Sequence, residues 1–327
     1  MKTQISLEDI YAPIEKHLPA VEQKILEVLA TPNELSREVI RYFFKAKGKF
    51  LRPALCLFGA NFSDQIDPTV IQNAAALEIF HSATLIHDDI IDSAYLRRNL
   101  PTINSVWNSQ VAVLVGDYLH DKAIGAIFAL KNERAISIFL ETAGIVCDGE
   151  ILELNEKGNF SLREDQYLTI IEKKTAALLS CCLETSAILA GLPEDDVQIL
   201  KRFGTYFGIA FQMIDDCLDF AGKENEFGKT LGADCAAGVL TLPLIRLISL
   251  VDEKKKNEIL QMVESGFAKE NFGKIVKYLE EYDALQYAFR KAREFTDRAR
   301  LELSVLKDHP AKRSLNSLLD YILERNR

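Results

Sequence analysis

The stretch ALEIFHSATLIHDDIID, residues 76–92, decides how the chain reads. From Ile71 through Ala75, Ile79, Leu85 and Ile86 to Ile90, apolar residues recur at three- to four-residue steps, the period of an α-helix. That helix ends in Asp88-Asp89-Ile90-Ile91-Asp92. Asp88 and Asp92 are one turn apart on one face, so two like charges sit side by side, which weakens a helix unless a cation shares them. The Ile and Leu residues around them raise the cost by withdrawing water. His81 lies seven residues before Asp88, two turns up the same face.

The same pattern occurs again in FGIAFQMIDDCLD, residues 207–219, where Asp215, Asp216 and Asp219 close another apolar helical run and Gln212 stands just before them. Hard carboxylate oxygens are what magnesium prefers, and magnesium commonly takes its remaining ligands from water and phosphate. One such motif is as readily a solvated acidic helix end. Two on separate helices are harder to explain that way. Six carboxylates in two clusters also suit metal clamping better than proton transfer between an acid and a base.

Working outward, helical periodicity covers roughly 20–45, 70–95, 107–130, 135–156, 164–191, 195–221 and 240–266, with two or three more helices in 270–326. Pro32, Pro68, Pro101, Gly158, Gly191, Pro193, Gly228 and Gly232 sit mainly between these runs. Alternating strand-type segments are nearly absent, and no low-complexity linker divides the chain. Residues 1–327 are therefore expected to form one all-α domain, a large bundle of ten or more helices. The run TAALLSCCLETSAILAGL, residues 175–192, is apolar almost all round and belongs at its centre.

A net charge of −9 and a pI near 5.3 argue against attraction of the whole surface to nucleic acid, so any basic site must be local. None of the six cysteines forms a CxxC pair, which points to buried thiols rather than zinc or disulfides. The acidic, amphipathic first twenty residues have no apolar run of signal-peptide type, and a cytoplasmic protein is expected.

Local positive charge is present. Gly48-Lys49-Phe50-Leu51-Arg52-Pro53 opens a helix and places Lys49 and Arg52 where anions are favoured. Arg97-Arg98 follows the first aspartate motif, Lys174-Thr175 interrupts an apolar helix, and Lys229 follows Gly228 after the second motif, with Asp234 beyond it. Each has an ordinary explanation alone: surface arginines, a core histidine, a snorkelling lysine. Together, metal-loaded carboxylates facing Lys and Arg would hold two polyanionic groups close to one another.

In this order, GKFLRP, ALEIFHSATLIHDDIID, the arginine pair, GDYL at 116–119, KTA at 174–176, FGIAFQMIDDCLD, GK at 228–229 and TLPLI at 241–245 resemble the trans-isoprenyl diphosphate synthase (polyprenyl synthetase) family over nearly the whole chain. The resemblance implies a bundle around a deep central cavity, usually a homodimer, that condenses isopentenyl diphosphate with an allylic diphosphate. It implies three magnesium ions per site, with Asp88, Asp92 and Asp215 as ligands and Asp89, Asp216 and Asp219 as ligands or supporting partners. Arg97, Lys174 and Lys229 would grip the allylic diphosphate. Lys49, Arg52, His81 and Arg98 would hold isopentenyl diphosphate. Thr175 and Gln212 would line the reacting centre. Three positions depart from the pattern: Phe50 for a frequent Arg, Asn99 for Gly after the arginine pair, and Val239 for the Lys that usually precedes TLP.

On the resemblance, the allylic tail runs back along the first-motif helix. Ala83 and Thr84, about one turn below Asp88, are small where short-chain members often carry an aromatic blocker, so the bore is expected to continue and the product to be longer than farnesyl diphosphate. Phe80, a turn further, is a candidate stop, and Leu119, Ala123 or Ile127 of the following helix a candidate floor. The alternatives are a short-chain farnesyl or geranylgeranyl diphosphate synthase, a terpene cyclase, which needs neither the second motif nor Lys49, Arg52 and His81, and a non-catalytic partner subunit, which typically loses aspartates. An unrelated acidic scaffold that only binds cations would not surround its charges with apolar residues.

Overall fold

The structure is a computed structural model and describes residues 6–46, 48–63, 65–221, 232, 235, 237–264 and 269–324. Helices dominate: α1 (Leu7–Tyr11), α2 (Leu18–Val28), α3 (Glu34–Lys45), α4 (Leu51–Ala60), α5 (Pro68–Ile91), α6 (Ile103–Val106), α7 (Ser109–Phe128), α8 (Glu133–Glu156), α9 (Glu164–Ile171), α10 (Ala177–Leu189), α11 (Glu194–Ala221), α12 (Leu242–Leu250), α13 (Glu253–Glu264), α14 (Lys269–Glu281), α15 (Ala284–Ser304) and α16 (Pro310–Glu324). The all-α expectation holds. Among the described residues, no helix is long and apolar enough to cross a membrane.

Two expected helices are each split in two, and side-chain capping explains both breaks. Between α2 and α3, Pro32 cannot continue a helix, and Asn33 starts the next by accepting from the Ser36 amide at 2.9 Å. Between α12 and α13, Asp252 accepts from the Lys255 amide at 2.8 Å and restarts the chain. The arginine pair lies in a small hairpin, β1 (Leu96–Arg97) and β2 (Leu100–Pro101), paired Leu96 to Pro101 and Arg97 to Leu100. Its two turn residues, Arg98 and Asn99, have φ of 50° and 63°. A two-residue hairpin of this kind needs left-handed residues, and Asn tolerates that conformation, so Asn99 serves where Gly is usual.

The helix expected at the centre is there. α10 packs against α4, α5, α8 and α11, and Leu178 through Ala187 are all buried. Close approach is possible because its neighbours present glycines. A Cβ on Gly204 of α11 would lie 2.6 Å from Ser180 Cα, one on Gly208 2.5 Å from Ala176 Cα, and one on Gly59 of α4 2.8 Å from the Leu183 carbonyl oxygen. Each would force backbone apart. α5 lies along α7 and α11 along α15, and the apolar core runs unbroken from Ile10 to Ile322. The six cysteines form no disulfide, and five of them are buried.

Candidate active site

The first aspartate motif ends α5, with Asp92 as its C-cap. Gly116 of α7 lets that end dock, since a Cβ there would lie 2.2 Å from His87 Nε2. The His87 ring rests near the Val113 carbonyl and Asp117. The three aspartates then diverge. Asp89 turns inward, buried, and its Oδ1 accepts from both Arg97 Nε and Nη2 at 2.8 Å. Asp92 is exposed. Asp88 is half-buried, and burial, reinforced by the nearby Glu150 carboxylate, pushes its pKa up to about 7 against the pull of Lys174 and Arg97.

The second motif lies on α11, and the glycines that bring α11 onto α10 also aim it. Gly204, Gly208, Gln212 and Asp216 follow at four-residue steps along one face. Opposite them, the chain just before α10 widens into a single π-turn, Glu172–Ala176, which holds Lys174 and Thr175. Such turns recur at functional sites because they re-aim side chains within a helix. Thr175 Oγ1 donates to Gln212 Oε1 at 2.8 Å, Gln212 Nε2 donates to Asp216 Oδ1 at 2.8 Å, and Tyr167 on α9 donates to Asp216 Oδ2 at 2.6 Å. An ionised carboxylate only accepts, so Asp216 fixes the Gln212 amide with its oxygen toward Thr175. Asp219 Oδ1 accepts from the Gly232 amide at 3.1 Å.

Lys174 points at α8. Its ammonium is 2.8 Å from Glu150 Oε2 and donates to Glu153. Burial alone would lower its pKa, but Glu153 and Glu150 more than reverse that and raise it. Gly149 allows the contact, since a Cβ there would sit 2.6 Å from the Lys174 amide nitrogen.

Beside this cluster lies a basic one. Arg52 enters from the first turn of α4, and burial draws its pKa down while Glu78 and Asp215 pull the other way. His81 is held well below its usual value by burial and by Arg52, Arg98 and Arg97, so it is neutral at pH 7. Arg98 Nη1 donates to the Ala46 carbonyl at 2.9 Å, and its guanidinium packs so tightly on Gly48 that a Cβ there would lie 2.6 Å away. Lys49 precedes α4, its carbonyl accepting from Tyr11 at 3.0 Å and its ammonium 5.5 Å from the centre of the Tyr321 ring. Glu78 on α5 faces Arg52 and Arg98; burial raises its pKa and those two cations oppose the rise.

Of the expected site residues, Asp88, Asp92, Arg97 and Lys174 are brought near one another, as are Arg52, His81, Arg98 and Asp215, and Thr175, Gln212 and Asp216 are joined by hydrogen bonds. Lys229 and Asp234 lie outside the described residues. Val239 is half-buried beside the turn at Gly238, whose carbonyl accepts from the Gly158 amide at 2.9 Å. Sequence reasoning missed Glu78, Glu150, Glu153 and Tyr167. The first three left a signal, since each is a charge inside an apolar helical run, and Tyr167 left none.

Below Asp88, Ala83 is buried and the Thr84 hydroxyl is turned back to the His81 carbonyl at 2.9 Å. Phe80 is buried with its ring edge-on to Phe139 of α8, centroids 5.3 Å apart, and 5.5 Å from the His120 ring of α7. Leu119, Ala123 and Ile127 are fully buried along α7.

Residues 33–279 match the polyprenyl synthetase family. The chain belongs to that family. Over 97% of its length it is 34% identical to an all-trans-nonaprenyl-diphosphate synthase (geranyl-diphosphate specific) of Rhodobacter capsulatus, covering 98% of that protein. Over 98% it is 33% identical to heptaprenyl diphosphate synthase component 2 of Geobacillus stearothermophilus, covering all of it. A crystal structure of a polyprenyl synthase from Caulobacter crescentus, complexed with calcium and isoprenyl diphosphate, superposes with a TM-score of 0.94 at 26% identity, each chain fully covered. This chain is accordingly a prenyltransferase. It condenses isopentenyl diphosphate with an allylic diphosphate to give a longer prenyl diphosphate. Magnesium dependence is general in the family.

Proposed function

We propose that Asp88, Asp92 and Asp215 bind three magnesium ions that carry the allylic diphosphate, and that Asp89, Asp216 and Asp219 orient them. The observation that carries this reading is the division of partners within the first motif. Asp89 and Asp216 are committed to protein donors, whereas Asp88 is left half-buried with a pKa raised toward 7. A carboxylate so placed is better suited by a cation than by water. Among the described residues no three acidic side chains are grouped to hold an ion unaided, which suits magnesium that completes its shell from phosphate and water.

Arg97, Lys174 and Lys229 hold the allylic diphosphate; Lys49, Arg52, His81 and Arg98 hold isopentenyl diphosphate. Magnesium, when bound, neutralises the diphosphate as it departs. The protein's own part is to place the two substrates and to present oxygen atoms to the allylic cation. Gln212 Oε1, fixed by Asp216, and the Thr175 hydroxyl supply those oxygens. His81, kept neutral, orients without adding charge.

The tail descends along α5 past Ala83 and Thr84, with Phe80 and Phe139 as the aromatic floor and Leu119, Ala123 and Ile127 along the wall. This supports a medium- to long-chain product. The test is turnover with labelled isopentenyl diphosphate, farnesyl diphosphate and magnesium, with products dephosphorylated and resolved by length. A ladder that ends at one polyprenol, becomes shorter in Ala83→Phe and longer in Phe139→Ala, supports the reading. Unchanged product length in both variants removes the floor assignment.

We further propose that residues 1–327 form one domain and that it works as a homodimer. On α8, Leu140, Gly144, Cys147, Ile151 and Leu154 are exposed at helical spacing, and Val113, Leu114 and Phe128 are exposed on neighbouring α7. An apolar seam of this size suits another helix pair. A different subunit on the same seam is the second reading, favoured by the relative named component 2. Light scattering of the purified chain separates the two: a dimer of one chain supports the first, and a monomer the second.

A further inference from the structure

We propose that Tyr42 is a positioning residue shared by the two diphosphate sites: through the Pro101 carbonyl it fixes the hairpin whose adjacent Arg97 and Arg98 serve one substrate each. The inference rests on the reading above that Arg97 meets the allylic diphosphate and Arg98 isopentenyl diphosphate. The two arginines are neighbours in the chain but leave the hairpin in different directions. Arg97, in β1, donates to Asp89 of α5 at 2.8 Å. Arg98, at the turn, donates to the Ala46 carbonyl at 2.9 Å and packs on Gly48. A hairpin of two-residue strands is too short to hold such an arrangement by itself, so its supports decide where both guanidiniums stand.

Two of those supports come from the last turn of α3. Ala46 is the C-cap of α3, and its carbonyl is one of those that a helix end leaves without an intrahelical partner, so a guanidinium suits it. That support uses the group that the substrate also needs. The Tyr42 hydroxyl, one turn earlier, donates to the Pro101 carbonyl at 2.8 Å and uses no substrate-binding group. Tyr42 is itself held in place, its ring edge-on to Trp107 with centroids 5.3 Å apart and planes at 79°. At the base of the hairpin, Thr102 is buried, its hydroxyl donating to the Ala94 carbonyl at 2.7 Å and its amide to the Tyr95 carbonyl at 3.1 Å. Pro101 pairs with Leu96, the residue before Arg97, so a hairpin that swings away from α3 moves both arginines at once. Tyr42, Ala46, Arg97, Arg98 and Pro101 border a cavity of about 30 Å³. The hairpin thus meets α3 across a gap the size of a water, and the hydrogen bond rather than close packing sets the distance.

The experiment is steady-state incorporation of labelled isopentenyl diphosphate with farnesyl diphosphate and magnesium, in the wild type and in Tyr42→Phe, Arg97→Gln, Arg98→Gln and the Tyr42→Phe, Arg98→Gln double variant, with thermal melting alongside. Tyr42→Phe keeps the ring against Trp107 and removes only the hydroxyl. It is expected to raise KM for both substrates by roughly threefold to tenfold, the effect of one hydrogen bond, with kcat unchanged. In the Arg98→Gln background the same change is expected to raise KM for farnesyl diphosphate as before and to leave that for isopentenyl diphosphate alone, a pattern that a loss of stability would not give. Unchanged KM values in Tyr42→Phe, or a rise in one alone, overturn the shared tether. Arg97→Gln without effect on KM for farnesyl diphosphate, or Arg98→Gln without effect on KM for isopentenyl diphosphate, overturns the site reading beneath it. Should Tyr42→Phe melt early, Trp107→Phe keeps the hydroxyl but loosens its ring support and is expected to raise both KM values by a smaller factor; no rise there overturns the proposal.

Discussion

The two aspartate motifs share one pattern, DDxxD, and the fold treats them differently. In each, the middle aspartate is buried and committed to the protein. In the first it meets a guanidinium, Arg97, and the pair is neutral. In the second it accepts from two neutral donors, Gln212 and Tyr167. The first motif is therefore a charge-balanced anchor beneath two outward carboxylates. The second is a post whose hydrogen bonds set the orientation of an amide beside the reacting centre. A shared pattern here means identical spacing, and the partner across the gap decides what the spacing does.

The largest expected effects test which aspartates hold metal. Asp88→Asn and Asp215→Asn should each lower kcat by ~10²–10³-fold, the scale of removing a group that stabilises developing charge. An equal loss in a folded Asp89→Asn or Asp216→Asn would erase the distinction between anchors and ligands.

Stability separates the anchors. Asp89→Asn leaves Arg97 without its countercharge in a largely buried setting and should cost roughly 3–5 kcal/mol in urea unfolding. Asp216→Asn weakens the hydrogen bonds from Gln212 and Tyr167 and should cost roughly 1–3 kcal/mol. The reverse order would mean that Arg97 is better solvated than its position implies.

A pH series in EDTA tests Asp88. Its pKa rises from 3.8 to about 7 on folding. The folded protein thus holds a proton that the unfolded chain has released, and the stabilisation is full below about 3.8 and is lost as pH rises toward 7. The wild type should lose stability relative to Asp88→Asn across that window, with the gap constant above it. Magnesium should restore the wild type selectively. Parallel curves in EDTA would place Asp88 in water.

The smallest effect is expected from Tyr167→Phe. It removes one donor from Asp216 and should cost about 1 kcal/mol of stability. By loosening Gln212 it should lower kcat several-fold, with KM for isopentenyl diphosphate unchanged. An unchanged kcat would show that the Tyr167 bond is not needed to hold Asp216 against Gln212.

Much of this was legible in the sequence. The central position of α10 followed from its apolar circumference, and both motifs and their basic partners were located by residue. What could not be read was geometry created by contact. The π-turn at Glu172–Ala176 comes from packing against α8 and α11, not from local propensity. The contact between Lys174 and Glu153 joins residues more than twenty positions apart, and Phe139 of α8 meets Phe80 of α5 from a distant part of the chain. The breaks at Pro32 and Asp252 were visible as residues but were overridden by the apolar period on either side.

The most direct test of the account is a crystal structure with manganese in place of magnesium and farnesyl S-thiolodiphosphate, the metal located by its anomalous signal. The account predicts ions bridging the diphosphate to Asp88, Asp92 and Asp215, with Asp89 still on Arg97 and Asp216 still on Gln212 and Tyr167. Manganese bound directly to Asp89 or Asp216, with those hydrogen bonds broken, would contradict it.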